Sequence, residues 1–150
     1  MTLEERISIE NSILNIDGFS QFQIYRYTDG NSYFLWGDHK TNSGKTYTLW
    51  SPLPSNYPNA RPPIYVYKPN PLIGYDWTKT INSYGISHCM HTLNNGPNGE
   101  VQICHWRDAL WHSAITLNKV MLKVVIWLEA YEQHLSSGKS IAEFVRTMQE

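Results

Sequence analysis

Cysteine is scarce: Cys89 and Cys104 are the only two in 150 residues. The opening Met1-Thr2-Leu3-Glu4-Glu5-Arg6 is acidic where a secretory signal is basic and then apolar, so a cytoplasmic chain with reduced thiols is expected over a disulfide scaffold. Long apolar runs are lacking too. No stretch approaches the roughly 20 residues that span a bilayer, and a helical membrane anchor is not expected. Charge of one sign is also missing, with 12 basic against 13 acidic residues and no basic run, which argues against a nucleic-acid surface that works by counterion release. Proteins and small molecules are the expected partners. There is no repeat, low-complexity tract or linker, and 41% hydrophobic content suffices for one core without staples. One domain over residues 1–150 is the expected organisation.

Local patterns supply the elements. Thr2-x-x-Glu5 is a capping-box pattern, and Leu3, Ile7 and Leu14 form one stripe up to Asp17-Gly18, which predicts a first helix. Segments 22–27, 33–36 and 46–50 are rich in β-formers and are separated by Asp-Gly and Asn-Ser-Gly turns; 64–67 follows a proline-rich turn. Together they predict a four-stranded antiparallel meander. Four prolines between Pro54 and Pro63 deny that turn a helix. From Lys68 to Asn98 no period holds, which marks a functional loop, with 81–90 the candidate for a short strand. After Thr116 as N-cap, Leu117, Val120, Met121, Val124, Leu128, Tyr131 and Leu135 recur at steps of three and four, so a long helix covers the sheet. Gly138 ends it, and Ser140 begins a short last helix carrying Ile141, Phe144, Val145 and Met148. The expected class is α+β.

Pro54-x-x-Tyr57-Pro58-x-x-x-Pro62-x-Ile64 after Tyr47-Thr48-Leu49, and Trp111-His112-Ser113-Ala114-Ile115-Thr116 before the long helix, stand in the order found in ubiquitin-conjugating enzymes. The chain resembles that family over about residues 47–135. The resemblance implies a catalytic cysteine, no cofactor and no metal. In the family a His-Pro-Asn triplet precedes an Asn-Gly turn, and the cysteine stands four residues beyond the Asn of that turn. Here His91-Thr92-Leu93-Asn94-Asn95 takes the triplet's place. Counting back from Asn98-Gly99 assigns its Asn to Asn94, with Asn95 next to it; counting forward puts Gln102 at the cysteine position and displaces Cys104 by two. Side chains of an extended strand repeat with period two, so Cys104 is expected on the same side as Gln102.

The chemistry implied is acyl transfer. Cys104 accepts an activated C-terminal acyl group as a thioester, and a target amine, a lysine, then attacks it. A thiol with an ordinary pKa of about 8.5 needs help to be a thiolate, and His105 and His91 are its cationisable neighbours. Asn94 is assigned to the oxyanion, and Asp108, four residues past Cys104, to the amine's proton. Trp127-Leu128-Glu129-Ala130-Tyr131-Glu132 and Ser137-Gly138-Lys139 look most like the bacterial branch, including short conjugating enzymes of CBASS antiphage defence operons. That likeness implies a donor with a C-terminal glycine, either a cGAS-like nucleotidyltransferase or a ubiquitin-like protein, with or without a separate activating enzyme. Family variants without the cysteine bind ubiquitin-like proteins and catalyse nothing, which is the rival expectation. A zinc site from His88, Cys89, His91, Cys104 and His105 is a weaker one, because no usual ligand spacing is present. Cys89 is expected to pack beside the site. Tyr65, Tyr67, Trp77 and Tyr84 are candidates either for a docking surface or for the sheet's second face.

Overall fold

The computed structural model describes residues 1–84 and 89–145. Helix α1 (Leu3–Ile16) begins at a reciprocal cap, with Glu5 N–H donating to the Thr2 hydroxyl and Thr2 N–H to the Glu5 carboxylate. These bonds satisfy two backbone donors that the first turn would leave open. The chain then runs through β1 (Gln23–Arg26), β2 (Tyr33–Lys40), β3 (Thr46–Pro52) and β4 (Ile64–Lys68), an antiparallel meander in sequence order.

The sheet has six strands rather than the four expected. Two short ones, β5 (Thr92–Leu93) and β6 (Val101–Ile103), extend it beyond β4 in the order β1-β2-β3-β4-β6-β5. Strands of two and three residues are too short for composition to mark them as strands, and they exist because the edge of β4 gives their backbone groups partners: Ile64 stands opposite Ile103, and Val66 opposite Val101. In place of a short strand within 81–90, Ile81–Tyr84 forms a 3-10 turn; residues 85–88 lie outside the described residues.

Helix α2 (Leu117–Ser137) is the main core element. It buries Leu117, Val120, Met121, Val124, Trp127, Leu128 and Tyr131 together with Leu35, Leu49, Ile64, Val66, Val101 and Ile103 of the sheet; each large apolar side chain so covered contributes about 1.5–3 kcal/mol. The Thr116 hydroxyl bonds to the Asn118 side chain instead of capping a backbone N–H. At the other end Gly138, at φ 75°, closes α2 in the left-handed conformation that glycine adopts without a Cβ clash. A short α3 (Ala142–Val145) follows, with Val145 buried and Phe144 exposed; Met148 lies outside the described residues.

The opposite face of the sheet is aromatic. Trp36, Trp50 and Tyr65 stand in one cross-strand row that continues to Gln102, with Trp50 and Tyr65 rings 5.5 Å apart and Trp36 and Tyr67 rings 4.8 Å apart.

Candidate functional site

β5 and β6 form a hairpin that presents every candidate residue between 91 and 104. Its loop is closed by Gly96 N–H donating to the Glu100 carbonyl at 2.8 Å and by Asn98 N–H donating to the Glu100 carboxylate at 2.7 Å. Gly96 is required by close approach: a Cβ there would lie 2.8 Å from Glu100 Oε1 and 3.0 Å from the Tyr65 ring.

Cys104 follows β6 directly and is half-buried. Its N–H donates to the carbonyl of His91 at 2.9 Å, so His91 is its neighbour across the hairpin. His91 is buried and holds a left-handed backbone, φ 50°. Asn94 lies nearer the hairpin tip. Its carbonyl accepts the side-chain amide of Gln102 at 2.8 Å, and Gln102 itself is buried. The structure joins Asn94 to Gln102 and His91 to Cys104. Asn94 and Asn95 are both exposed.

His105 departs from its expected part. It is fully buried, and its Nε2 lies 2.7 Å from the Pro62 carbonyl oxygen. A carbonyl only accepts, so Nε2 carries the proton and Nδ1 presents a lone pair, for which no hydrogen-bond partner is found. Burial pushes its pKa down to about 3, against the stabilising bond to Pro62 and with the nearby Arg61 and Lys123 cations adding to the depression. A neutral imidazole on the core side supplies no cation to Cys104 near neutral pH.

A cation within electrostatic range of Cys104 is Lys123, which sequence reasoning missed. Lys123 stands on α2 with Nζ 3.5 Å from the centroid of the Trp106 ring, a cation–π contact. Partial burial lowers its pKa, and the charge of a Cys104 thiolate acts in the opposite direction. The signal was a single charge inside Val120-Met121-Leu122-Lys123-Val124-Val125. Asp108 opens a 3-10 turn over Asp108–Leu110, and its carboxylate pairs with Arg61 Nε at 3.0 Å while Arg61 Nη1 donates to the Trp106 carbonyl at 2.7 Å. Trp111 Nε1 donates to the Pro58 carbonyl at 3.0 Å, and Arg6 donates to the carbonyls of Ser113 and Ile115 at 2.7 and 3.0 Å. The segment after Cys104 is thereby fastened to the Tyr57-Pro58 turn and to α1.

Cys89 is exposed, its carbonyl accepting from Ala142 N–H at 2.7 Å. His88 lies outside the described residues, and among the described residues no three His, Cys, Asp or Glu side chains converge on a metal position. No helix of the described residues is long and apolar enough to cross a membrane. Tyr65 is half-buried on the aromatic face, while Tyr67, Tyr84 and Trp77 are exposed.

No family model matches the chain, and no curated protein matches it. Among solved structures it is similar to the yeast Vps23 UEV domain, solved in complex with a Vps27 PSDP peptide, at 18% identity and a TM-score of 0.46 over 84% of this chain and 81% of that one.

Proposed function

We propose that this chain is a ubiquitin-conjugating-like module that binds a ubiquitin-like protein partner, and that no acyl chemistry occurs at the family's cysteine position. Gln102 carries this reading. An amide stands where that family holds its thiol, and it is spent on the Asn94 carbonyl at 2.8 Å; an amide nitrogen has no nucleophilic lone pair to form an acyl-enzyme. Partner binding is read by titrating the labelled chain with ubiquitin-like proteins or C-terminal-glycine tails encoded beside it. The expected result is shift changes centred on the β5–β6 hairpin, with affinity unaltered by Cys104→Ala.

A second reading keeps acyl transfer and moves it to Cys104. What favours it is the half-buried thiol within electrostatic reach of the Lys123 ammonium. Cys104 sulfur, as thiolate, attacks the activated C-terminal carbonyl of a ubiquitin-like protein or a cGAS-like nucleotidyltransferase, expels the activating group and forms a thioester; a target lysine amine then attacks that carbonyl, releases the Cys104 thiolate, gives up its proton and is left as an amide. This reading assigns the proton to Asp108, whose carboxylate pairs with Arg61, and the oxyanion to Asn94. Intact mass of Cys104→Ser expressed with its neighbouring genes separates the readings. A donor adduct at residue 104 establishes acyl carriage, and its absence with donor present leaves the binding module.

Lys123 is testable without knowing the donor. Lys123→Gln is expected to slow alkylation of Cys104 by iodoacetamide at pH 7 by about threefold or more, through loss of the nearby positive charge. An unchanged rate and pH profile would show that the ammonium does not act on the thiol.

A further inference from the structure

About 12–18 Å along α2 from Lys123, at roughly 1.5 Å per residue, an open cleft of about 620 Å³ lies between β3, the segment after β4 and the last turns of α2. Its volume falls in the range of small-molecule sites, about 300–1,000 Å³. Tyr47, Ile73, Tyr131 and Leu135 form the wall. Both tyrosine hydroxyls are turned to other partners, Tyr47 donating to Glu132 at 2.9 Å and Tyr131 to the Ile73 carbonyl at 2.6 Å, so the wall offers ring and aliphatic surface. The charged residues lining the cleft are two cations, Lys45 and Lys68. Among the described residues neither forms an ion pair. Glu132 lines a smaller adjoining cavity and accepts hydroxyl protons from Thr41, Ser43 and Tyr47 at 2.9, 2.7 and 2.9 Å.

Trp77 stands at this cleft, 64% exposed, and at φ 62° holds a left-handed backbone that bulky side chains rarely adopt. The turn around it is tightly bonded. Gly74 N–H donates to the Lys79 carbonyl at 2.7 Å, Trp77 N–H to the Gly74 carbonyl at 3.0 Å, and Asp76 Oδ1 accepts from Thr78 and Lys79 N–H at 3.1 and 3.2 Å. A large ring is thus presented from a fixed backbone, with the Lys45 ammonium 5.8 Å from its centroid.

We propose that this cleft binds a small anion with a flat ring, the ring lying against Trp77 and the apolar wall and the carboxylate or phosphate held at Lys45 and Lys68. Charge complementarity selects the occupant: an apolar wall whose hydroxyls are already engaged, beside two ammonium groups outside any ion pair, matches a ligand with one apolar plane and one negative end. The site is separate from Cys104 and Gln102 and does not depend on what happens there.

The test is titration of the full chain with 1-naphthyl phosphate, 1-naphthoate and uncharged 2-naphthol, read by amide chemical shifts and calorimetry. Both anions are expected to bind with shifts mapping to 45–47, 68–77 and 131–135, and 2-naphthol about tenfold or more weaker. The tighter of the two anions identifies the head group. The Lys45→Gln, Lys68→Gln double variant should lose about tenfold in anion affinity while its weaker naphthol affinity is unchanged, and Trp77→Ala should weaken all three. These side chains are exposed, so the variants are expected to melt with the wild type; the comparison of anion with naphthol in the wild type needs no variant. Equal binding of naphthol and the anions, unchanged anion affinity in the double variant, shifts elsewhere, or no binding of any probe at millimolar concentration would overturn the proposal.

Discussion

Replacing Glu10 with alanine is expected to destabilise the fold by about 3–5 kcal/mol, which would be a large part of the roughly 5–15 kcal/mol that holds a domain of this kind together. Glu10 is 1% exposed, yet it joins three elements. Its carboxylate accepts the Tyr57 hydroxyl proton, accepts the N–H of Leu117 at 3.1 Å, and lies 3.8 Å from Arg6 Nε one turn earlier on α1. Truncation leaves a buried N–H at the start of α2 and a buried phenol without their shared partner, each a costly orphan, and takes the counter-charge from Arg6, which keeps its bonds to the Ser113 and Ile115 carbonyls. Urea unfolding measures the loss, and Glu10→Gln, which keeps an acceptor oxygen, should lose less. The same residue sets a pH trend. Burial raises its pKa above 4.5, against the bonds from Tyr57, Leu117 and Arg6. The proton-linked part of its contribution is therefore fully present below about 4.5 and is lost as pH rises through the folded value, while the bonds it accepts from Tyr57 and Leu117 remain. Glu10→Gln should abolish that trend, and a loss below 1 kcal/mol for Glu10→Ala would show that the bridge does not hold the elements together.

What the sequence announced is what short-range physics decides. The Thr2/Glu5 cap, the β-formers between Gly and Asn turns, and the apolar stripe from Leu117 to Tyr131 ending at Gly138 each signal within a few residues, and each formed. β5 and β6 stayed hidden because their stability comes from β4, across the sheet, and not from their own composition. The site was legible unevenly. Cys104 beside β6 follows from reading an extended segment there, and the same alternation assigns Val101, Ile103 and His105 to one buried row. His105 was legible as an interior residue on that ground; valuing it as a cation ignored the period that places it against Pro62. Other pairings bridge distances no local pattern reports. Arg61 meets Asp108 across 47 positions, and Glu10 reaches Leu117 across 107. Trp77's left-handed backbone depends on the hydrogen bonds of its own turn, which residue types alone do not disclose.

Acid is expected to destabilise the chain through His105 by about 3 kcal/mol between pH 7 and pH 4, at about 1.4 kcal/mol for each pH unit below the imidazole's ordinary pKa. That pKa is lowered from 6.5 to about 3 in the folded chain, chiefly by burial. Between those values the unfolded chain binds a proton that the folded chain refuses, so stability is fully present above 6.5 and falls as pH drops toward 3. Protonation in place would put a charge on Nδ1, which is buried and without a hydrogen-bond partner, in a neighbourhood already holding the Arg61 and Lys123 cations. Glu10 works in the opposite sense, gaining stability on acidification, so the two are separable only by substitution. His105→Gln keeps an amide N–H for the Pro62 carbonyl and removes the titration. Urea unfolding at pH 7, 5.5 and 4 should show a steep decline in the wild type and a much shallower one in His105→Gln. Equal slopes would assign the acid sensitivity to another group and would mean that the imidazole accepts its proton without leaving the core.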